Sequence, residues 1–492
     1  MTRFHFIFAL AFWLAPATSV LGGPLQSESA VLTFQSSVAR RIDTVDGPVS
    51  YDAVASRFAF EDETGDATAT FVSYAYFRTD VEDDAERPIA FVFNGGPGSS
   101  SVWLHMGFAA PVRIPEALAA PGFNETVQAL EDNPHTILVA ADLVFIDPIG
   151  TGFSRAGEAE GEYWGVDEDA QSVAALVRAF LREFDRASSP VVLIGESYGG
   201  LRAAAMLEPL LTQTPAVDVR GVVLVSPALA TDIIVSRDED DALIGRLPTY
   251  AALAWHHGML EEAPEDLWEH VAEAVAVADG PYREAVESLD ELSTEEAEDL
   301  VDRLHALTGV DRDDIRRNAL RVTTRLFRRA AREKVGGTLG DLDGRFIAGR
   351  GMNEIPFETF GSAMRLHLLD TWRIDTEGRY RLMNSRANSR WRGRAGERGL
   401  FRSTIDTIGM IENAQRLKPD IAVLVASGVY DQVTPFASAR AILDESDLDR
   451  DRFWVFEYPS GHMVYMEADS HRAFSADVKS FLRKGLRAAA AP

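Results

Sequence analysis

Serine, aspartate and histidine stand in this chain in the local contexts, and in the order, that nucleophilic acyl transfer requires. Ser197 lies in Gly195-Glu196-Ser197-Tyr198-Gly199-Gly200, after the apolar run Val191-Val192-Leu193-Ile194 and before helix-compatible residues 201–211. A G-x-S-x-G pattern at a strand-to-helix turn lifts a serine hydroxyl out of a sheet, with a helix N-terminus behind it to favour developing negative charge. A serine hydroxyl is a poor nucleophile without a base. Asp431 follows the strand candidate at 421–425, in Ser427-Gly428-Val429-Tyr430-Asp431-Gln432-Val433-Thr434-Pro435, and His462 follows the candidate at 453–456, in Tyr458-Pro459-Ser460-Gly461-His462-Met463-Val464. Ser, then Asp, then His is the chain order of α/β-hydrolases, and each group sits just beyond a strand, where active sites of open α/β sheets assemble. A further loop, Asn94-Gly95-Gly96-Pro97-Gly98-Ser99-Ser100, follows the strand candidate at 89–93. Its glycines would let a backbone N–H approach a substrate carbonyl closely, as the second donor of an oxyanion hole must.

These residues need a scaffold, and the hydrophobic pattern supplies one. Residues 31–79 read as short β segments, with Asp46-Gly47 as a hairpin turn and Val72, Tyr74 and Tyr76 alternating with Ser73 and Ala75. From residue 88 to residue 230, strand candidates at 89–93, 143–146, 191–194 and 222–225 alternate with helices near 168–184 and 200–211. That rhythm predicts an α/β fold of the α/β-hydrolase type, its mostly parallel central sheet covered on both faces. Residues 231–400 break the rhythm. They are rich in charged helical sequence, carry a capping-box pattern at Ser293-Thr294-Glu295-Glu296, and include a Gly-rich turn at Gly336-Gly337-Thr338-Leu339-Gly340. The expected organisation is a core over 24–230, an inserted and mainly helical cap over 231–400, and a second part of the core over 401–492.

Composition narrows the setting. The chain has 492 residues, 46% hydrophobic and 25% charged, enough to bury a substantial core. A formal charge of −28 argues against nucleic acid and against an anionic membrane surface as partners. With no cysteine there are no disulfides, no cysteine nucleophile and no thiolate metal site. Arg3, the apolar run at 4–15 and the small residues at Ala17, Ser19, Gly22 and Gly23 read as an export signal over 1–23. The mature protein is then expected in the periplasm or outside the cell, with no integral membrane segment, no cofactor and no metal.

Beyond these readings the sequence resembles the serine carboxypeptidase family, also called peptidase S10. The resemblance rests on Asn94-Gly95-Gly96-Pro97-Gly98-Ser99-Ser100, on Asp147-Pro148-Ile149-Gly150-Thr151-Gly152-Phe153-Ser154, on Gly195-Glu196-Ser197-Tyr198-Gly199-Gly200, and on the Asp431 and His462 blocks. It implies that Ser197, Asp431 and His462 form a triad, that the N–H groups of Gly96 and Tyr198 form the oxyanion hole, and that Asn94 and Glu196 hydrogen-bond the free C-terminal carboxylate of a peptide substrate. The chain departs from the family in having Ser99 where a Cys is common, and Phe108 where many members have a second carboxylic acid. The function expected is release of C-terminal amino acids through an acyl-enzyme on Ser197. An esterase or acyltransferase would use the same triad, and a binding or scaffold protein would not use it at all.

Overall fold

The computed structural model describes residues 29–486 except 63, 82–85, 119–122, 232–238, 349–353, 375–379, 398 and 401–404. The expected export signal over 1–23 lies outside the described residues. A nine-stranded sheet runs through the molecule. Its strands are β1 (Ser29–Thr44), β2 (Gly47–Glu61), β3 (Ala67–Arg78), β4 (Ile89–Phe93), β5 (Asp142–Asp147), β6 (Val191–Glu196), β7 (Val219–Val225), β8 (Ala422–Gly428) and β9 (Phe453–Tyr458). Their spatial order is β1-β2-β3-β5-β4-β6-β7-β8-β9. The first three strands form an antiparallel meander, joined antiparallel to β5, and the other six strands are parallel. The β1–β2 hairpin turns on Val45 and Asp46, one residue earlier than the Asp46-Gly47 pair expected, because Gly47 already pairs with Thr44.

The parallel strands read as unbroken apolar runs because both faces of the sheet are covered. Side chains of a strand alternate between faces. Ala90, Val92, Leu143, Phe145, Val192 and Ile194 accordingly join one core cluster, and Phe91, Phe93, Val144, Ile146, Val191 and Leu193 join the other. On the second face lie helices α1 (Val166–Glu183), α2 (Tyr198–Thr212), α8 (Thr407–Leu417) and α9 (Phe436–Asp444). The first face carries α7 (Phe357–Trp372) and α10 (Ala468–Ser480).

Helices α3 (Asp240–His256), α4 (Leu267–Val277), α5 (Thr294–Thr308) and α6 (Thr324–Val335) pack around a third cluster of their own, which reaches the sheet through Val429, Tyr430 and Phe436. The capping box forms as the pattern predicts: Ser293 Oγ accepts from the Glu296 N–H, and Glu296 accepts from the Ser293 N–H at 2.9 Å. The Gly-rich stretch ends α6 at Gly336, whose φ of +71° suits glycine, and then pairs Thr338–Leu339 with Ile347–Ala348. Among the described residues no helix is long and apolar enough to cross a membrane.

Phe180 of α1 ties the meander to the parallel strands. Its ring meets Phe58 of β2, Phe77 of β3, Phe91 of β4 and Phe184, with centroids 4.3 to 6.2 Å apart. Phe180→Ala is expected to cost about 3–5 kcal/mol, as truncation of a buried aromatic ring does. A urea titration measures this as a lower midpoint at unchanged slope. A loss below about 1 kcal/mol would mean that the two sheet halves do not depend on this contact.

Candidate active site

Strand β6 ends in a turn that the backbone makes only under constraint. Ser197 adopts φ 59° and ψ −125°, outside the regions open to most L-residues, and α2 begins at the next residue. Glycine is required beside it: a Cβ on Gly195 would lie 2.1 Å from the carbonyl oxygen of Gly199. Hydrogen bonds from Ser197 N–H to Val225 O (2.8 Å) and from Gly200 N–H to Ser197 O (2.9 Å) hold the turn. The Tyr198 N–H is the first of its helix and has no intrahelical acceptor.

The Asn94 loop lies against this turn. A Cβ on Gly95 would come within 2.5 Å of Tyr198 N, and Gly96 has a φ of +103° that an L side chain rarely adopts. Arg202, fully buried on α2, draws the two segments together. Its Nη1 donates to Asn94 O (2.6 Å) and its Nε to Asp169 Oδ2 of α1 (2.6 Å), which also accepts from the Tyr198 hydroxyl (3.2 Å).

Asp431 and His462 come from the loops after β8 and β9 and meet at 2.6 Å, Oδ2 to Nδ1, both buried. Every lone-pair direction of this carboxylate has a partner. Oδ1 accepts from the N–H groups of Val433 (2.7 Å) and Thr434 (3.1 Å), and Oδ2 accepts from Thr434 Oγ1 (2.6 Å) as well as from the imidazole. With Nδ1–H committed to Asp431, Nε2 is the basic nitrogen. Neither Nε2 nor the half-buried Ser197 hydroxyl has a hydrogen bond among the described residues. Burial opposes a charge on His462, but Asp431, with Glu196 and Glu354 further off, outweighs it and raises the imidazole above its ordinary value.

Glu196 and Asn94 are hydrogen-bonded to each other, Nδ2 to Oε1 at 3.0 Å, next to Ser197. Asn94 Oδ1 accepts from the Leu104 N–H (3.1 Å), which fixes the amide with its NH₂ toward Glu196. The second oxygen of Glu196 accepts from the Tyr465 hydroxyl at 2.5 Å. Burial raises the Glu196 carboxyl above its ordinary value, against the opposing pull of His462, Tyr465 and Asn94. Phe108 is buried, stacked on Phe474 at 4.4 Å and on Tyr465 at 5.9 Å, and supplies no second acid at that position.

Several contributors carried no local signal. Tyr465 lies just beyond the histidine block, and Thr434 reads as an ordinary turn residue. The segment around Leu342 lies across the loops of both Asp431 and His462: Leu342 O accepts from His462 N–H (2.7 Å), Asp341 O from Gln432 N–H (3.0 Å), and Gly344 N–H donates to Tyr430 O (3.0 Å). Asp147, from the second motif block, is buried and braces the Asn94 loop from behind. Its Oδ1 accepts from Ser101 N–H (2.9 Å), Ser101 Oγ (2.8 Å) and the Tyr380 hydroxyl (3.1 Å), and burial pushes its carboxyl up to about 6. Among the described residues no group of three or more His, Asp or Glu side chains converges to hold a metal ion.

The model of the serine carboxypeptidase family matches residues 63–477. The chain belongs to the serine carboxypeptidase family. Within this family it is 25% identical over 185 residues to serine carboxypeptidase-like 8 of Arabidopsis thaliana, an alignment covering 35% of this chain and 41% of the plant protein. It is 27% identical over 148 residues to the pheromone-processing carboxypeptidase KEX1 of Saccharomyces cerevisiae, covering 28% of this chain and 19% of the yeast protein. These alignments span less than half the length of the curated relatives. The crystal structure of a prohormone-processing carboxypeptidase, Kex1(delta)p of Saccharomyces cerevisiae, superposes with a TM-score of 0.55 over 92% of this chain and 91% of that one, at 14% identity. This member of the family thus has the α/β-hydrolase fold, with a mostly parallel central sheet.

The Arg202–Asp169 pair under the turn generates a stability test. Arg202→Met leaves Asp169 buried without its cation and is expected to cost about 3–5 kcal/mol, whereas adding Asp169→Asn should restore part of the loss. Denaturant unfolding of both variants measures it. A single variant as stable as wild type would show that the pair does not hold the turn against the Asn94 loop.

Proposed function

We propose that this protein is a serine carboxypeptidase that removes C-terminal amino acids from peptides through an acyl-enzyme on Ser197. The observation that carries the reading is the buried Asn94–Glu196 pair beside the nucleophile. An amide N–H and a carboxyl with a raised pKa, set one residue from the attacking hydroxyl, suit a terminal carboxylate better than any other part of a peptide. In this reading Ser197 Oγ attacks the scissile carbonyl carbon while its proton passes to His462 Nε2. The carbonyl oxygen, now carrying the charge, sits against the N–H groups of Gly96 and Tyr198. Asp431, satisfied by Thr434 and Val433, stabilises the imidazolium without taking its proton. The C–N bond then breaks, the departing amine takes the proton from His462, and the amino acid leaves. Water, deprotonated by the same histidine, attacks the acyl carbon and restores Ser197. Export is part of the proposal, carried by Arg3 and the apolar run at 4–15.

Incubating the protein with a peptide and with its C-terminal amide tests this. Stepwise release of amino acids from the free peptide is expected. Ser197→Ala and His462→Ala should each lower kcat by about 10⁴-fold or more, and the double variant should fall little further, because the two act as one unit. Turnover of esters without release from any free peptide would point instead to an esterase or acyltransferase. Release that survives either single variant would remove the assignment of the triad.

A further inference from the structure

Tyr465 is the one group at this site that acyl transfer leaves without a task. Its ring fills the room left by Gly107, where a Cβ would lie 2.7 Å from the ring's Cε2, and it stacks beside Phe108 with centroids 5.9 Å apart. Its hydroxyl donates to Glu196 Oε2 at 2.5 Å, a length typical of a hydroxyl bonded to a carboxylate. Tyr465 is wholly buried, while Glu196 keeps 5% of its surface exposed. Of the two, only Glu196 keeps any exposed surface, and Tyr465 acts through it.

The two partners of Glu196 are not equivalent. Asn94 offers Oε1 an N–H and nothing else, since its own oxygen is taken by the Leu104 N–H. Oε1 is therefore fixed as an acceptor, and a proton arriving at Glu196 must go to Oε2. In the structure that oxygen is engaged by the phenol as a donor, a bond that favours the ionised carboxyl. The other charged groups facing Glu196 come from the loops after β9 and β8. His462 favours the ionised form, while Asp431 and burial oppose it.

We propose that Tyr465 is a positioning residue that sets the pH at which Glu196 takes up its proton, and so the pH range over which the site binds a peptide's free carboxylate. The proposal rests on the reading of the protein as a carboxypeptidase. A substrate carboxylate beside ionised Glu196 meets a like charge, so its binding takes up one proton from solvent, at Oε2. The Tyr465 hydrogen bond is made to the anion and opposes that uptake. Without the hydroxyl, a buried carboxylate is left with one donor in place of two, and it holds its proton to higher pH.

The test is kcat/KM against pH for one peptide in free and amidated form, with wild type, Tyr465→Phe and Glu196→Gln. Wild type should show an alkaline limb with the free peptide that the amide lacks. Tyr465→Phe keeps the ring over Gly107 and should move that limb up by about one to two pH units, the size expected for loss of a hydrogen bond to a charged group. The movement should appear in KM rather than kcat. Glu196→Gln should abolish the limb, and adding Tyr465→Phe to it should not bring it back. Replacing Tyr465 with 3-fluorotyrosine, a more acidic donor on the same ring, should move the limb the opposite way, and this variant decides the matter if Tyr465→Phe does not fold. A limb that stays in place or moves down in Tyr465→Phe overturns the role of Tyr465 and leaves the carboxypeptidase reading standing. A wild type that releases amino acids equally from free and amidated peptides overturns both.

Discussion

A fully buried guanidinium under the strained turn at Ser197 is the constraint on which the rest of the site hangs. Arg202 is bonded to a carboxylate on α1 and to the backbone of Asn94, and it lies about equally close to the rings of Tyr198 and Phe93, 5.2 and 5.4 Å away. Taking such a charge out of water costs several kcal/mol, and an apolar replacement of the same volume would often be as stable. The pair makes sense as a device of position. It connects two helices with the end of β4, and so brings two chain segments a hundred residues apart close enough that only glycine fits between them at Gly95. Tyr198 extends the same network, since its hydroxyl accepts from Trp391 Nε1 (3.0 Å) while donating to Asp169. The strained backbone of Ser197 can persist because its surroundings leave it no alternative.

Two buried carboxylates flank one histidine, and their environments set them apart. Asp431 is met by two backbone N–H groups, a hydroxyl and the imidazole. Glu196 has only an amide and a phenol, in a pocket whose burial works against its charge. Asp431 holds the imidazole through Nδ1, while Glu196 is held on its two oxygens by Asn94 and Tyr465.

Much of this was legible from local pattern. Strands buried on both faces leave apolar runs, and those at 89–93, 143–146, 191–194, 222–225, 421–425 and 453–456 all fall within or beside strands of the sheet. The α/β-hydrolase fold class and membership of the serine carboxypeptidase family followed from the same motifs. The turn around Ser197 could be read because its glycines answer steric demands within a few residues. Contacts between distant segments were not legible. Tyr465 looks like any aromatic residue after a histidine block, and its bond to Glu196 spans 269 positions of the chain. Helix α7 falls within the stretch 231–400 expected to form the cap, yet Phe360, Met364 and Leu368 pack on the same face of the sheet as Val92 and Ile194. Nothing in periodicity tells a helix which surface will cover it.

The segment around Leu342 connects helices α3 to α6 to the loops of Asp431 and His462. It leaves α6 through Gly336, pairs briefly with itself, and then gives backbone hydrogen bonds to the loops of both Asp431 and His462. The approach is close: a Cβ on Gly461 would lie 2.5 Å from that of Asp343. Arg345 fastens the segment further, donating to Pro459 O (3.0 Å), bonding both oxygens of Asp343 and lying over the ring of Tyr430 at 4.9 Å. Glu354, a little further on, accepts from the Asp343 N–H (2.7 Å) and contributes to the field that raises His462. Because this segment holds the backbone of His462 and brings Glu354 into its field, changes in it act on the position and the pKa of the imidazole.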